Sequence, residues 1–299
     1  MTWAFIMRTP SLLTSALVAS TLLFTDAASA APAQTQRTQS TTVTKAEPDA
    51  TALVRAALQR IGGDEWPTIK SFESIATVKS AMGDARIEYR FVAPDARQLV
   101  QVMPGGRGVM EMGCVNGGAW MGEPGRARAI DPKVAQELAG GGDLQSLVHA
   151  LDARFGSFVT HGKTAVNGRE CWTISMTPKP TAGAPASAVA AWTLYLDTSN
   201  ATILGLDIPA PPKDANNAAP EPSPQLIRFS DWQSVEGPMG KAPSSEPRSA
   251  ARAILSFRIA TVESGGMKTE LLYTRCAVNT LEVGAIAAPA KIDPAPPTR

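Results

Sequence analysis

The chain has 299 residues, 44% of them apolar, which is enough for a hydrophobic core in one large domain or two smaller ones. Its 28 Lys and Arg residues nearly balance its 27 Asp and Glu residues, and the net charge of +1 provides no electrostatic footprint for nucleic acid. The sequence also lacks a run of basic residues of the kind that binds a membrane surface.

The first thirty residues have the pattern of a secretory signal peptide. Arg8 precedes an apolar run from Leu12 to Phe24, and the small residues Ala28-Ser29-Ala30 follow it. The run is too short for a transmembrane helix, so we expect cleavage after Ala30 and a periplasmic or secreted protein that does not span a membrane. Residues 31–45 are rich in Thr, Gln, Ser and Ala, which predicts a disordered leader.

Helical spacing of apolar residues predicts three helices. The first begins at Asp49 and ends before Gly62-Gly63, a length of about 14 residues with one apolar stripe. The other two are short, one over residues 134–138 and one that follows Asp143. The apolar face of the last helix contains Leu144, Leu147, Val148 and Leu151. All three helices need a sheet against which to bury their apolar sides.

Alternation of apolar and polar residues predicts strands over most of the remaining chain. Residues 86–91 alternate charged and apolar side chains, the pattern of a half-buried antiparallel strand. Asn116-Gly117 and Asn167-Gly168 have the sequence of type I′ hairpin turns, because Asn and Gly tolerate positive φ. Val235-Glu236-Gly237 is a looser version of such a turn. Further strands are predicted at residues 97–103, 157–163, 170–177, 191–197, 203–208, 225–232, 253–263 and 267–277.

The order of these elements has no βαβ alternation, which excludes a doubly wound parallel sheet. We therefore predict a mainly β, α+β fold with a single large curved antiparallel sheet, closed or half closed, and helices on its concave side. The domain is expected to span residues 46–283, with a disordered Ala- and Pro-rich tail over residues 284–299. Three Pro-rich connections are interpreted as mobile loops, at residues 178–188, 209–224 and 237–249.

Hydrolytic chemistry has little support in the sequence. The only two histidines, His149 and His161, belong to a predicted helix and a predicted strand, and no H-E-x-x-H, G-x-S-x-G or paired-cysteine metal spacing occurs. Asp197 and Asp231 fall at strand ends or turns, where Asp accepts hydrogen bonds from backbone N–H groups. We therefore predict no catalytic residue, no metal site and no cofactor.

Three cysteines, Cys114, Cys171 and Cys276, allow at most one intramolecular disulfide, and all three pairings are open. Two of them, Cys114 and Cys171, lie beside the Asn-Gly turns, so a cross-strand disulfide between them is one hypothesis. The other hypothesis is that the cysteines are small buried apolar residues, since unpaired Cys is among the most buried residue types.

Several short motifs of turn residues and aromatic residues occur in a fixed order along the chain. They are Ile61-Gly62-Gly63, Gly113-x-x-x-Gly117-x-x-Trp120, Val166-x-Gly168-x-x-x-Trp172, Tyr195-x-Asp197, Phe229-Ser230-Asp231-Trp232 and Val235-x-Gly237. This order, over about Ala46 to Asn279, resembles the LolA/LolB-like family of periplasmic outer-membrane lipoprotein-sorting proteins. The resemblance implies an open or incomplete β-barrel covered by helices, with a hydrophobic cavity for lipoprotein acyl chains.

An acyl chain binds through the apolar area that it removes from water, at about 0.8 kcal/mol for each buried CH₂. Unbranched, polarizable Met side chains suit the wall of such a cavity. The candidate wall residues are Ile87, Tyr89, Phe91, Met110, Met112, Trp120, Trp172, Ile174, Trp192 and Leu194. The alternative for each of them is simple packing beneath the helices.

Two functions of different classes follow from these observations. The first is a non-enzymatic periplasmic carrier that binds a lipid or lipoprotein acyl chain in a hydrophobic cavity, with an envelope protein as a further partner. The alternative is a non-transporting interaction or scaffold protein on the same fold, with a closed core and with Pro-rich loops that meet a partner.

Overall fold

The computed structural model describes residues 47–81, 83–106, 108–131, 143–179, 190–210, 223–236 and 254–294. Within these ranges the chain forms one sheet of fourteen strands. The strands are β1 (Ser71–Ser80), β2 (Gly83–Val92), β3 (Ala96–Val102), β4 (Val109–Val115), β5 (Gly118–Glu123), β6 (Arg126–Ala129), β7 (Phe155–Val166), β8 (Arg169–Pro178), β9 (Trp192–Asp197), β10 (Ile203–Ile208), β11 (Gln225–Ser234), β12 (Leu255–Ser264), β13 (Met267–Val278) and β14 (Ile292–Asp293).

The strands follow chain order with one main crossover. Across the sheet they run β14-β6-β5-β4-β3-β2-β1-β13-β12-β11-β10-β9-β8-β7, so β1 lies in the middle and pairs with both β2 and β13. Each of these pairings is antiparallel except that of β14 with β6, which is parallel. In the described part of the chain the end strands β7 and β14 do not pair with each other. The predicted mainly β fold with an open antiparallel sheet is therefore confirmed.

Both Asn-Gly turns have the backbone that their sequences predict. Asn116 and Gly117 have φ values of 50° and 76°, and Asn167 and Gly168 have values of 50° and 75°. Positive φ at both central positions is the requirement of a type I′ turn. Each turn joins adjacent antiparallel strands, β4 with β5 and β7 with β8, and thereby determines their register.

In the described ranges three α-helices lie against one face of the sheet, α1 (Ala50–Arg60), α2 (Leu144–His149) and α3 (Leu151–Arg154). The Asp49 carboxylate caps α1 by accepting hydrogen bonds from the backbone N–H groups of Thr51 and Ala52, at 3.2 and 3.3 Å. The Thr160 hydroxyl of β7 donates to Pro48 O, and the Leu255 N–H of β12 donates to Ile61 O. The helix α1 is therefore attached to β7 at its start and to β12 at its end.

The two faces of the sheet bury different clusters. We call the face that carries the helices the inner face and the opposite one the outer face. Residues of the helices are almost fully buried against the inner face: Val54, Ala57, Leu147, Val148 and Leu151. A smaller cluster on the outer face consists of Val92, Ala96, Trp120, Ala127 and Ile286. The main core therefore lies between the sheet and the helices.

Two short strands, β6 and β14, were not among the predicted strands. The sequence of β6 alternates Arg with Ala, so no large apolar side chains mark it as a strand. The segment expected to begin a disordered tail at residue 284 contains Ile286, which is buried in the outer cluster, and the two residues that pair with β6. The segment therefore adds cover and an edge strand to this end of the sheet.

Several predictions fall outside the described residues. These are the signal peptide, the leader, the helix at residues 134–138, most of the three Pro-rich connections and the last five residues of the tail.

Candidate functional site

The inner face has two wings on either side of the central strands β1, β13 and β12. We call β2–β6 the N-terminal wing and β7–β11 the C-terminal wing. Strand pairing aligns side chains in rows across β2, β3 and β4, because residues directly opposite each other project from the same face. The three inner rows of the N-terminal wing are Phe91–Arg97–Cys114, Tyr89–Leu99–Met112 and Ile87–Gln101–Met110.

Five of the predicted wall residues lie in these rows, and their exposure differs. Tyr89 and Met112 are buried, Ile87 and Phe91 are half-buried, and Met110 is 42% exposed. Tyr89 and Met112 belong to the main core cluster, and Ile87 and Phe91 pack against it. The rows therefore run from buried side chains in the middle of the wing to an exposed Met at one end.

Four more predicted wall residues lie in the C-terminal wing, on β8 and β9. Ile174 pairs with Leu194, and both side chains are 0% exposed. Trp172 and Trp192 are half-buried at either side of that pair. The ring of Trp192 packs edge-on against Phe155, with centroids 5.2 Å apart. This wing is filled by its own side chains and by those of the helices.

The placement of Trp120 beside Met110 and Met112 is wrong. In the β4–β5 hairpin, Met112 pairs with Met121, whereas Trp120 pairs with Gly113 and so projects from the outer face. Trp120 is 1% exposed in the outer cluster, and its Nε1–H donates to Glu111 Oε1 at 3.3 Å. Its ring lies over Gly113, where a Cβ would overlap it. Trp120 therefore packs beneath the chain around Ile286 and has no part in the inner face.

Among the described residues of the inner face, one crevice is closed to water. Tyr89, Arg97, Leu99 and Met112 border a narrow crevice, but a water-sized sphere does not fit into it. The residues that were expected to line an open hydrophobic cavity are, in the described part of the chain, largely in contact with one another and with the helices.

A larger cleft, of about 300 Å³, lies where the β7–β8 and β9–β10 turns approach β11. Its lining combines polar side chains, among them Asn167, Arg169 and Asp231, with the apolar side chains of Val166, Leu204, Phe229 and Trp232. The charged Arg169 and Asp231 interrupt the apolar area from which an acyl chain gains its binding energy.

Polar contacts attach α2 to the central strands. The Gln145 Nε2–H donates to Phe257 O at 2.7 Å, and His149 Nε2 lies 2.9 Å from Leu255 O. Because a carbonyl only accepts, Nε2 carries the proton in this contact. The imidazole also stacks on the Trp66 ring, with centroids 3.9 Å apart. Burial lowers the pKa of His149 to about 3, so this side chain is neutral and serves as a structural contact.

Asp143 lies just before α2 and is buried. The Tyr273 hydroxyl donates to its Oδ1 at 3.3 Å. Burial raises the pKa of the Asp143 carboxyl to about 7, because the charged form has lost its water. Among the described residues, Oε1 of the neighbouring Gln145 is buried without a hydrogen-bond partner. Polar groups therefore hold α2 over the central strands, and the burial of these groups lowers the stability of the folded chain.

One contact resembles part of a catalytic arrangement. The Ser175 hydroxyl and His161 Nε2 are 2.7 Å apart. Both side chains lie on the exposed surface of the β7–β8 pair, where a hydrogen bond between neighbouring strands is ordinary. Within the described ranges, no group of three or more His, Cys, Asp or Glu side chains could hold a metal ion.

Each of the three cysteines is a buried thiol and not part of a disulfide. Cys114 and Cys171 lie on β4 and β8, which are far apart in the strand order, so the cross-strand pairing hypothesis is wrong. Burial raises the pKa of the Cys276 thiol to about 12. The cysteines therefore behave as small buried apolar residues.

The helices in the described ranges are all too short or too polar to cross a bilayer.

Comparison of the chain with protein-family models and with curated proteins gives no match. Similar solved structures include a LolA superfamily protein from Nitrosomonas europaea, at 9% identity and a TM-score of 0.47 over 81% of this chain and 99% of that one. A DUF1329 family protein from Desulfovibrio piger has 12% identity and a TM-score of 0.46 over 81% and 98% of the two chains. A domain named for outer-membrane lipoprotein sorting, from Vibrio parahaemolyticus, has 12% identity and a TM-score of 0.42 over 78% and 97%.

The chain is similar to LolA superfamily and lipoprotein-sorting proteins. Identities of 9–12% and TM-scores below 0.5 carry no conclusion about a ligand, so the functional argument rests on the inner face itself.

The structure adds residues to the inner face that the sequence analysis did not select. Leu99 and Met121 pair with Met112 from both sides, and Arg97 lies in the next row. The sequence of β3 indicates that Arg97 and Leu99 share a face, because residues two positions apart in a strand project to the same side. The sequence identifies Asp143 only as the residue before a helix. Its burial could not be predicted, because it involves Tyr273, which is distant in sequence.

Proposed function

We propose that the chain is a non-enzymatic binding protein that holds an apolar chain, from a lipid or from the acyl group of a lipoprotein, on the inner face of its N-terminal wing. The observation that carries this proposal is the incomplete burial of the apolar rows on β2–β4. Met110 is 42% exposed, and Ile87 and Phe91 remain half-buried, although all three face the same side as the buried Met112.

Entry of a chain requires side chains or a helix to move, because the crevice between Tyr89 and Met112 is closed to water. The helix α2 is a suitable moving part, since it has only six residues and leaves Gln145 Oε1 buried without a partner among the described residues. An unpaired buried carbonyl costs about 1–3 kcal/mol. A bound hydrocarbon gains about 0.8 kcal/mol for each buried CH₂, and this gain opposes the cost of displacing such a cover.

The second candidate is a non-transporting interaction or scaffold protein with a closed core. It is favoured by one observation, the absence of open space in the crevice on the inner face. In that case the half-buried Ile87 and Phe91 pack at the edge of the core and contact no ligand. The signal-peptide pattern supports a periplasmic or secreted location for either function, where an envelope protein is a suitable partner.

A direct experiment distinguishes the two candidates. The full chain is purified after export, its lipid content is extracted and identified, and the delipidated protein is titrated with a fluorescent fatty acid. We expect saturable binding at one site. Absence of both co-purified lipid and saturable probe binding would refute the binding proposal and leave the closed-core candidate.

Two matched substitutions locate the site. Met110→Glu places a charge on the exposed end of the inner rows, and Val159→Glu places one on the outer side of β7, where Val159 is 53% exposed. Neither change removes a fully buried side chain, so both variants are expected to fold. Met110→Glu should weaken probe binding about fivefold because a carboxylate resists contact with hydrocarbon. Equal affinities of the two variants would place the probe elsewhere.

A further inference from the structure

Arg97 is a charged side chain in the mostly apolar rows of the N-terminal wing. It lies opposite Phe91 and Cys114 on the neighbouring strands, one row from Tyr89, Leu99 and Met112. Its guanidinium carbon is 3.6 Å from the centroid of the Phe91 ring, a stacked cation–π contact. The charge is therefore held at the surface of the inner face.

Arg97 forms no direct ion pair among the described residues, and the exposed Asp95 carboxylate acts on it only from a greater distance. Its Nη1–H donates to Ala96 O at 3.0 Å, and the Tyr89 hydroxyl is a second hydrogen-bond partner. None of the ion pairs found between described residues includes Arg97. Burial lowers the pKa of Arg97, as expected for a cation that has lost part of its water.

A partly buried guanidinium without a directly bonded carboxylate is an incomplete arrangement. A guanidinium has five N–H donors in a planar fork, so one carbonyl and one hydroxyl leave donors for a further acceptor. Carboxylate and phosphate oxygens match this fork and restore the lost charge interactions. The crevice that Arg97 shares with Leu99 and Met112 leads from this donor group onto apolar side chains.

The distance between the rows gives the length of the strip that a bound ligand would cover. Successive inner rows are about 7 Å apart, because alternate residues of a strand are separated by two steps of about 3.4 Å. Met110 is two rows from Arg97, so the exposed apolar end lies about 14 Å from the guanidinium along the strands. The strip between them has a cation at one end and a Met at the other.

We propose that Arg97 binds the oxyanion, a carboxylate or phosphate, of an amphiphile whose hydrocarbon chain lies along the inner rows toward Met110. This inference rests on the proposed function and adds the ligand class, an anionic amphiphile. A neutral lipid of the same chain length would then bind more weakly, because it leaves the guanidinium without an anion.

The test compares a C16 fatty acid with a monoacylglycerol of the same acyl chain, each titrated into the full chain. We expect the wild-type protein to bind the fatty acid about tenfold more tightly. Arg97→Gln should weaken fatty-acid binding about tenfold and change monoacylglycerol binding less than twofold. The matched control is Arg86→Gln, on the outer face, where Arg86 is paired with Glu88. It should change neither affinity.

Each remaining outcome has a defined meaning. If Arg97→Gln leaves fatty-acid binding unchanged, or weakens both probes equally, the headgroup role is overturned while the proposed acyl-chain function stands. If the wild-type protein binds neither probe, the proposed function fails and the inference fails with it. Displacement of the fatty acid by inorganic phosphate would contradict the proposal that the ligand is an amphiphile. It would indicate a binding site for small anions instead.

The variant Arg97→Lys guards against a folding defect in Arg97→Gln. It keeps the charge and loses the planar fork. We expect it to retain most of the preference for the fatty acid. Loss of the preference in a folded Arg97→Lys variant would contradict a role that depends on charge.

Discussion

The two wings of the sheet are built by the same local rules and are covered differently. Each is an antiparallel meander that contains an Asn-Gly hairpin and apolar residues in alternate positions. In the C-terminal wing, beneath α1 and α3, Ile174 and Leu194 are fully buried. In the N-terminal wing the corresponding rows end in an exposed Met110 and carry the cation Arg97.

The difference separates the structural core from the candidate site. Attachment of α1 to β7 and to β12 spans the C-terminal wing, so burial there is determined by a helix with fixed ends. The N-terminal wing has no such spanning helix among the described residues. Residues that looked equivalent in the sequence therefore have different tasks, core packing in one wing and candidate ligand contact in the other.

The largest expected effect comes from truncation in the C-terminal wing. Leu194→Ala removes three carbons from a site that is 0% exposed, and we expect the free energy of unfolding to fall by about 4 kcal/mol. Met112→Ala, in the N-terminal wing beside the crevice, should cost about 2 kcal/mol because its neighbours are less tightly packed. Equilibrium urea unfolding measures both values. A larger loss for Met112→Ala would reverse the assignment of the wings.

The second effect is a pH dependence of stability, and it tests the helix α2 that lies over the central strands. The pKa of Asp143 is raised from 3.8 to about 7, so the folded chain holds a proton that the unfolded chain releases. The contribution of Asp143 to stability is therefore fully present below about pH 4 and is lost as the pH rises through 7. At about 1.4 kcal/mol per pKa unit, the shift from 3.8 to about 7 corresponds to a loss of about 4 kcal/mol.

Asp143→Asn cannot ionise and is the matched control for this pH dependence. In urea unfolding at pH 5 and pH 8 the wild-type chain should lose stability relative to Asp143→Asn, because the opposite contribution of the buried neutral His149 is common to both proteins. If α2 is the part that opens, fatty-acid binding by the wild-type chain should also increase between these pH values. Identical pH profiles of the two proteins would remove Asp143 as the cause.

A third, smaller effect tests the outer face of the N-terminal wing. A Cβ at Gly113 would overlap the Trp120 ring and lie 2.8 Å from Arg97 O. Gly113→Ala should therefore destabilise the chain by about 2 kcal/mol through overpacking. Gly117→Ala is not a suitable control because Gly117 has positive φ, whereas Gly108→Ala is, since nothing lies within 4 Å of a Cβ there. No loss in Gly113→Ala would contradict the position of Trp120.

Much of the fold was predictable from local patterns, and the position of Trp120 was predictable in principle. A two-residue Asn116-Gly117 turn makes Val115 pair with Gly118, and this register places Trp120 opposite Gly113 rather than beside Met112. The error came from grouping residues by proximity in sequence instead of by register across the turn. The strand β6 escaped prediction for another reason, because alternating Arg and Ala side chains give no apolar signal.

The unequal cover of the wings could not be predicted from the sequence. Alternation states which residues share a face, but their burial depends on where α1 and α2 lie, through contacts such as Thr160 with Pro48 and Gln145 with Phe257. These contacts join residues that are 112 positions apart. Arg97 is a similar case, since its position two residues before Leu99 is consistent with the inner face but only the fold shows which groups surround it.

The smallest predicted effect tests whether the wings differ in cover alone. Asn116 and Asn167 both have φ near 50°, a conformation that costs Ala about 1 kcal/mol more than Asn. Asn116→Ala and Asn167→Ala should therefore lower the free energy of unfolding by the same amount, about 1 kcal/mol, in thermal or urea unfolding. Since both turns are otherwise equivalent type I′ hairpins, unequal losses would mean that the local structure of the wings also differs. Equal losses, together with unequal losses for Leu194→Ala and Met112→Ala, would assign the whole difference to the helices that cover the inner face.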